Sequence, residues 1–179
     1  MAIWQFTIEF VPKANLIQYF GEILKQIDEE LTWQKDFTDG VNLPENYEEF
    51  LNILGEKERL KWTENSLNWG DYDNGTHITI SLPNKDLPAV RARFHVGDLD
   101  LNFVKTVLEF AKLCDCVLLT KNQNIIEPES DLFMDELRNS NSYRFCQNPI
   151  EYLQSDEIKE INWSNKERLE DVKLNFNRR

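Results

Sequence analysis

Glycine and proline are scarce in this chain, six of each among 179 residues, which excludes collagenous and linker-rich architectures. The glycines are scattered singly, so no glycine-rich loop is available to cradle a phosphate. The three cysteines, Cys114, Cys116 and Cys146, are an odd set that builds no disulfide framework and fits reduced thiols in a cytoplasm. No apolar run approaches the roughly 20 residues of a membrane span. The opening Met1-Ala2-Ile3-Trp4-Gln5-Phe6 has no basic stretch and alternates apolar with polar, so a cleaved signal peptide is not expected. Basic residues are outnumbered 20 to 32, giving a formal charge of −12. An acidic field repels phosphate backbones and anionic membrane surfaces, so neither nucleic acid nor membrane is an expected partner. The same field attracts a basic protein partner, although negative charge also serves solubility alone.

What the chain does have is apolar bulk. The hydrophobic fraction is 41%, with 11 Phe, 5 Trp and 5 Tyr, enough for a packed core in one domain of this length. Residues 156–179 differ: they hold six acidic and six basic residues and few apolar ones, so the whole net charge resides in residues 1–155. The expected organisation is one domain over residues 1–155 and a C-terminal extension over 156–179 that docks or frays.

Periodicity supplies the elements. Trp4, Phe6, Ile8 and Phe10 alternate with Gln5, Thr7 and Glu9, the mark of a half-buried strand ended by Pro12. Leu16, Ile17, Phe20, Ile23, Leu24 and Ile27 follow at helical spacing and predict a helix over about residues 14–29. Leu31 to Gln34 reads as a short strand, and Tyr47 to Leu54 as a short helix stopped at Gly55. Asp71-Tyr72-Asp73-Asn74-Gly75 is flanked by strands and reads as a hairpin, because Asn-Gly adopts the positive φ angles of a tight turn. Ile78, Ile80 and Leu82, then Val90, Ala92, Phe94 and Val96, place apolar side chains on one face of two further strands. Asp98 or Asp100 caps a helix with Phe103, Val104, Val107, Leu108 and Ala111 as its buried stripe. Val117–Leu119 and Ile125–Ile126 are short strands, a helix carries Leu132, Phe133 and Leu137, and Asn148-Pro149-Ile150-Glu151 starts a last helix. The fold class is therefore α+β: a mainly antiparallel sheet with helices packed on one face.

The chemistry-bearing residues are few. The acids Asp71 and Asp73 invite a calcium reading, but a calcium loop counted from Asp71 needs Gly at position 6 and Glu at 12, and Gly75 and Leu82 break that pattern. They remain acids on a turn that can face a partner. Cys114-Asp115-Cys116 is too tightly spaced for a zinc hook; one cysteine ending a helix and one starting a buried strand accounts for it. No metal and no cofactor are implied. Trp62 and Trp69 flank the hairpin, and alternation puts Trp69 with Leu67 toward the core. Arg91, Arg93 and His95 alternate along one strand and share its polar face; His77 lies on the polar side of another. Two Arg and two His can bind an anion or an acidic patch on a partner. Alternatively they pair internally with Glu9, Asp86 or acids of the extension. Neither histidine stands in a nucleophile or zinc-ligand pattern, so catalytic residues are not assigned.

Residues 66–155 carry a layout with a resemblance. Asn68-Trp69-Gly70-Asp71 precedes the hairpin, and Arg93-Phe94-His95-Val96-Gly97-Asp98 closes a strand. A helix then runs into Cys116-Val117-Leu118-Leu119, followed by Ile125-Ile126-Glu127-Pro128 and Asn148-Pro149-Ile150-Glu151-Tyr152-Leu153. This resembles small acidic bacterial α+β proteins of the polymorphic-toxin immunity type. The resemblance implies a non-catalytic cytoplasmic protein that binds and blocks a cognate toxin. Three readings follow: a protein-binding domain with a basic partner; a small enzyme or anion binder using Arg91, Arg93, His77 and His95; and a homodimer joined through a sheet edge or face.

Overall fold

The alternation of the first strand is realised in β1 (Gln5–Pro12), whose Phe6, Ile8 and Phe10 are buried. The computed structural model describes residues 3–28, 37–58, 65–82 and 87–155. The expected strand at Leu31–Gln34, Trp62, Asp86 and the extension 156–179 lie outside them. The remaining strands are β2 (Ser66–Asp71), β3 (Thr76–Ser81), β4 (Ala89–His95), β5 (Cys116–Thr120) and β6 (Ile125–Ile126). They form one six-stranded sheet in the order β2-β3-β4-β1-β5-β6, with every neighbouring pair antiparallel. The first strand in sequence thus lies between the fourth and the fifth.

Six α-helices accompany the sheet among the described residues: α1 (Lys13–Phe20), α2 (Tyr47–Leu51), α3 (Leu101–Leu113), α4 (Ser130–Arg138), α5 (Asn141–Gln147) and α6 (Pro149–Gln154). The class is α+β. Asp100, not Asp98, caps α3: its Oδ1 accepts from the N–H groups of Asn102 and Phe103 at 2.8 and 3.1 Å. The α3 stripe of Phe103, Val104, Val107, Leu108, Phe110 and Ala111 is buried against Phe6, Ile8, Phe10, Ile78, Ile80, Ala92, Phe94 and Leu118. Leu51 of α2 and Phe133 and Leu137 of α4 join this core. Trp69 is fully buried in it, and its indole N–H donates to Asn52 Oδ1 at 3.1 Å. At the start of α6, Asn148 and Glu151 satisfy each other as the sequence predicts: the Glu151 N–H donates to Asn148 Oδ1, and Asn148 Nδ2 donates to Glu151 Oε2 at 2.7 Å.

Helix α1 is shorter than its periodicity predicts. Gly21 adopts φ +81° and its N–H caps Ile17 O at 2.9 Å, which ends the helix. The helical spacing beyond that point belongs to a segment that runs along β6 instead. Ile27 N–H donates to Gln123 O, Ile125 N–H donates to Lys25 O, and Gln26 bridges Asn124. Leu16, Ile27 and Phe37 pack on Val11, Val117, Leu119 and Ile125, which alternation places on the sheet face opposite the main core. That second face is therefore covered at its β1–β5–β6 end. No helix among the described residues is long and apolar enough to cross a membrane.

Candidate functional site

The other end of the second face is polar. Residues paired directly across antiparallel strands share a face, so register fixes the layout. One row reads Gly70, His77, Arg93, Thr7 across β2, β3, β4 and β1; the next reads Asn68, Thr79, Arg91, Glu9; a third reads Ser66, Ser81, Ala89. All of these residues except Gly70 and Thr7 line a concavity of about 310 Å³. Thr38, Asp39 and Tyr72 also line it. The Asp39 segment is tied down because Asn15 Nδ2 of α1 donates to Phe37 O and Asp39 O, at 3.0 and 2.8 Å, and Val41 N–H donates to Pro88 O.

Within the floor some polar atoms are satisfied and others are not. Thr79 Oγ1 donates to Asn68 Oδ1 at 2.6 Å, which spends the carbonyl end of that amide and leaves its NH₂ pointing away. Ser66 and Ser81 hydroxyls bond each other at 3.3 Å. Arg91 forms an ion pair with Glu9, its partner across β4 and β1. Three buried atoms of the floor, Asn68 Nδ2, His77 Nδ1 and Arg93 Nε, have no hydrogen-bond partner among the described residues. A fourth such atom, Thr120 Oγ1, pairs opposite Ile8 and so belongs to the other face. Leaving a buried polar group unsatisfied costs about 1–3 kcal/mol, so three in one concavity are a local cost to stability.

His77 sets the electrostatics. It is 3% exposed, and its ring lies 4.5 Å from that of Tyr72. Burial, helped by the Arg93 guanidinium and opposed by Asp71, drives its pKa down to about 4. The imidazole is therefore neutral at pH 7, able to donate from one nitrogen and accept at the other. Among the described residues of the lining, two guanidiniums (Arg91, Arg93) face two carboxylates (Glu9, Asp39).

The sequence-predicted site residues fall into two groups. His77, Arg91 and Arg93 come together in this concavity. His95 shares their face but sits at the end of β4, where its Nδ1 accepts from the Asp98 N–H at 3.0 Å and its own N–H donates to Thr76 Oγ1. Asp71 is exposed; Asn74 N–H and side chain both bond its carboxylate and lower its pKa. Asp73 is exposed in the same turn. The turn itself is a four-residue loop in which Gly75 alone takes positive φ, +80°; Asn74 does not. Asp71, His95, Asp98, Asp100 and Glu109 instead line a second, more acidic groove beside α3.

Asn68, Tyr72 and Asp39 were not singled out by sequence reasoning. Hairpin register would have placed Asn68 opposite Thr79 on the polar face; nothing local signals Asp39, which arrives from a distant loop. Gly70 has a defined role, since at φ +98° a side chain would meet Thr76 O at 2.7 Å and the Phe103 ring at 3.2 Å. The cysteines stand apart from the site. Cys114 ends α3 and Cys116 starts β5, both buried, with burial pushing the Cys114 thiol up to about 12 and Cys116 also upward. No protein-family model, no curated protein and no solved structure matches this chain.

Proposed function

We propose that this domain is a non-catalytic binding protein and that the polar half of its second sheet face receives the anionic group of a small molecule. The observation that carries this reading is the convergence of Asn68 Nδ2, His77 Nδ1 and Arg93 Nε, buried and unpartnered, in one concavity. Arg93 supplies charge and planar donors, and the Asn68 amide supplies a donor held in place by Thr79. Binding is favoured over catalysis because the strand hydroxyls of the pocket are engaged: Ser66 and Ser81 bond each other and the Thr79 hydroxyl is spent on Asn68. The test is a thermal-shift screen of small carboxylates, phosphates and sulfates on wild type and Arg93→Gln. Stabilisation that disappears in the variant supports the reading; a screen with no Arg93-dependent shift at millimolar ligand sinks it.

A second reading is favoured by the acidic groove. Asp71, Asp98, Asp100 and Glu109 line it with the exposed Ile53 at its rim, a surface suited to a basic segment of a protein partner. The resemblance to immunity proteins fits this role, with a cytoplasmic bacterial setting and a toxin as the partner. Affinity capture with products of neighbouring genes tests it, and a complex indifferent to ionic strength would remove its electrostatic basis.

A further inference from the structure

Strand register sets what surrounds Arg93 in the concavity. His77 lies directly opposite it on β3 and Thr7 directly opposite on β1; Arg91 is next on the same face of β4, and Glu9 is diagonal to it on β1. Diagonal neighbours stand roughly 7–8 Å apart, inside the Debye length of about 10 Å at 0.1 M salt, so a charge held at Arg93 feels Arg91 and Glu9. Those two are committed to each other in an ion pair. Asp39, the other carboxylate of the described lining, has a partner of its own. Neither acid therefore stands ready for a ligand cation. Arg93 is outside the ion pairs among the described residues, and its Nε is unpartnered. The other two unpartnered atoms, His77 Nδ1 and Asn68 Nδ2, belong to groups that are neutral at pH 7. A monoanion on Arg93 is thus neutralised one to one. A dianion would bring a second negative charge beside Glu9 with Arg91 already committed, and uncompensated charge is costly to take out of water. The planar guanidinium fork matches a planar carboxylate in bidentate geometry. A volume of about 310 Å³ lies at the lower end of ligand pockets and sets the size of the molecule.

Resting on the anion-pocket reading above, we propose that the ligand is a small monocarboxylate held by Arg93, and that Glu9 determines this specificity by keeping Arg91 neutralised. Glu9 acts through Arg91 and through its own charge, without a contact to the ligand. Removing that charge while keeping the shape would make Arg91 a second available guanidinium, and the same floor would then suit a dianion. Specificity of this kind is a difference between two affinities, built partly by repulsion of the wrong ligand.

The experiment is isothermal titration calorimetry of the full chain at pH 7.5 and constant ionic strength, with propionate, malonate and sulfate as probes. Propionate and malonate share a three-carbon skeleton and differ by one carboxylate. Wild type should bind propionate at least about threefold more tightly than malonate or sulfate, the factor expected for one unit charge acting on another at diagonal spacing in a water-like dielectric. Glu9→Gln should shift that ratio toward the dianions by a similar factor, whereas a purely structural role for Glu9 would weaken all three probes alike. Arg93→Gln should abolish binding of all three, with Arg93→Met in its place should the first variant not fold. Malonate or sulfate binding as tightly as propionate through Arg93, or a ratio unmoved by Glu9→Gln, overturns the specificity and leaves the anion pocket standing. No Arg93-dependent binding of any probe at millimolar concentration overturns both. Should Glu9→Gln not fold, judged by its melting transition, Arg91→Gln carries the same discrimination: it leaves Glu9 uncompensated and should weaken the dianions more than propionate, and equal weakening overturns the role of the pair.

Discussion

The two halves of the second sheet face are built on the same pleat and reach opposite solutions. Around Val11, Val117, Leu119 and Ile125 the outward positions are apolar, and Leu16, Ile27 and Phe37 cover them. Around Arg93, Arg91, His77, Thr79 and Asn68 they are polar and line an open concavity. Strand β1 is the border: its outward residues run Thr7, Glu9, Val11, polar to apolar within five residues. One half contributes to stability by burial, whereas the other keeps three buried polar atoms unsatisfied, a cost the first half must offset. Sites that bind are commonly held at such a cost by a well-packed neighbour.

Substitutions can break this contrast, and the largest effect belongs to the apolar half. Leu119→Ala removes a buried side chain from under the covering segment and should cost about 2–5 kcal/mol in urea unfolding. A loss below about 1 kcal/mol would show that this half is not a true core. Gly70→Ala tests whether the backbone of the polar half is equally constrained. It combines positive φ with a contact to Thr76 O and should cost about 2–4 kcal/mol by the same assay.

The third prediction concerns pH. The folded His77 pKa of about 4 lies below the unfolded value near 6.5, so within that window the unfolded chain binds a proton that the folded chain does not. Stability contributed by neutral His77 is present above about pH 6.5 and is lost as pH falls toward 4, by up to about 1.4 kcal/mol per unit. Replacing His77 with Gln removes this contribution, so the wild-type and variant stability curves should converge as pH falls from 6.5 to 4.5. Curves that stay parallel over that range would contradict a buried neutral imidazole.

Smaller effects are expected at the charges. Glu9→Gln breaks a partly exposed ion pair with Arg91 and should change stability by about 0.2–1 kcal/mol, less at high salt. Arg93→Met should be the least costly of all, near zero or stabilising, because it removes an unsatisfied buried nitrogen while keeping apolar stem volume. If Arg93→Met destabilised the protein as much as Leu119→Ala, the two halves would not differ in the way described.

Much of the fold was legible because its signals are local. Period-two alternation gave β1, β3 and β4, a capped 3.6-period stripe gave α3, and Asn148-Pro149 gave α6. The error at α1 has a local cause too: the helical spacing continued through Ile27, but Gly21 outweighed it once Lys25 and Ile27 found backbone partners beside β6. The site was legible in part. Sharing of a face by Arg91 and Arg93 is fixed by the pleat, and Glu9 is the partner that Arg91 takes. The separation of His95 was not legible, because its imidazole accepts from Asp98 in the turn that follows β4.

The sequence by itself determined which side chains alternate to which side of each strand, where α3 and α6 begin, and that the chain is acidic. Only the tertiary structure decided what those faces meet. Insertion of β1 between β4 and β5 sets Glu9 against Arg91 and Thr7 against Arg93, and it carries the apolar Val11 to Val117. The loop tethered by Asn15 then brings Asp39 over the same floor. Strand order is a non-local outcome of burying the most apolar surface, so no window of sequence records it. Of the cationic residues read along β4, Arg91 and Arg93 thus came to share one concavity with Glu9 and Asp39 only when the sheet closed around them.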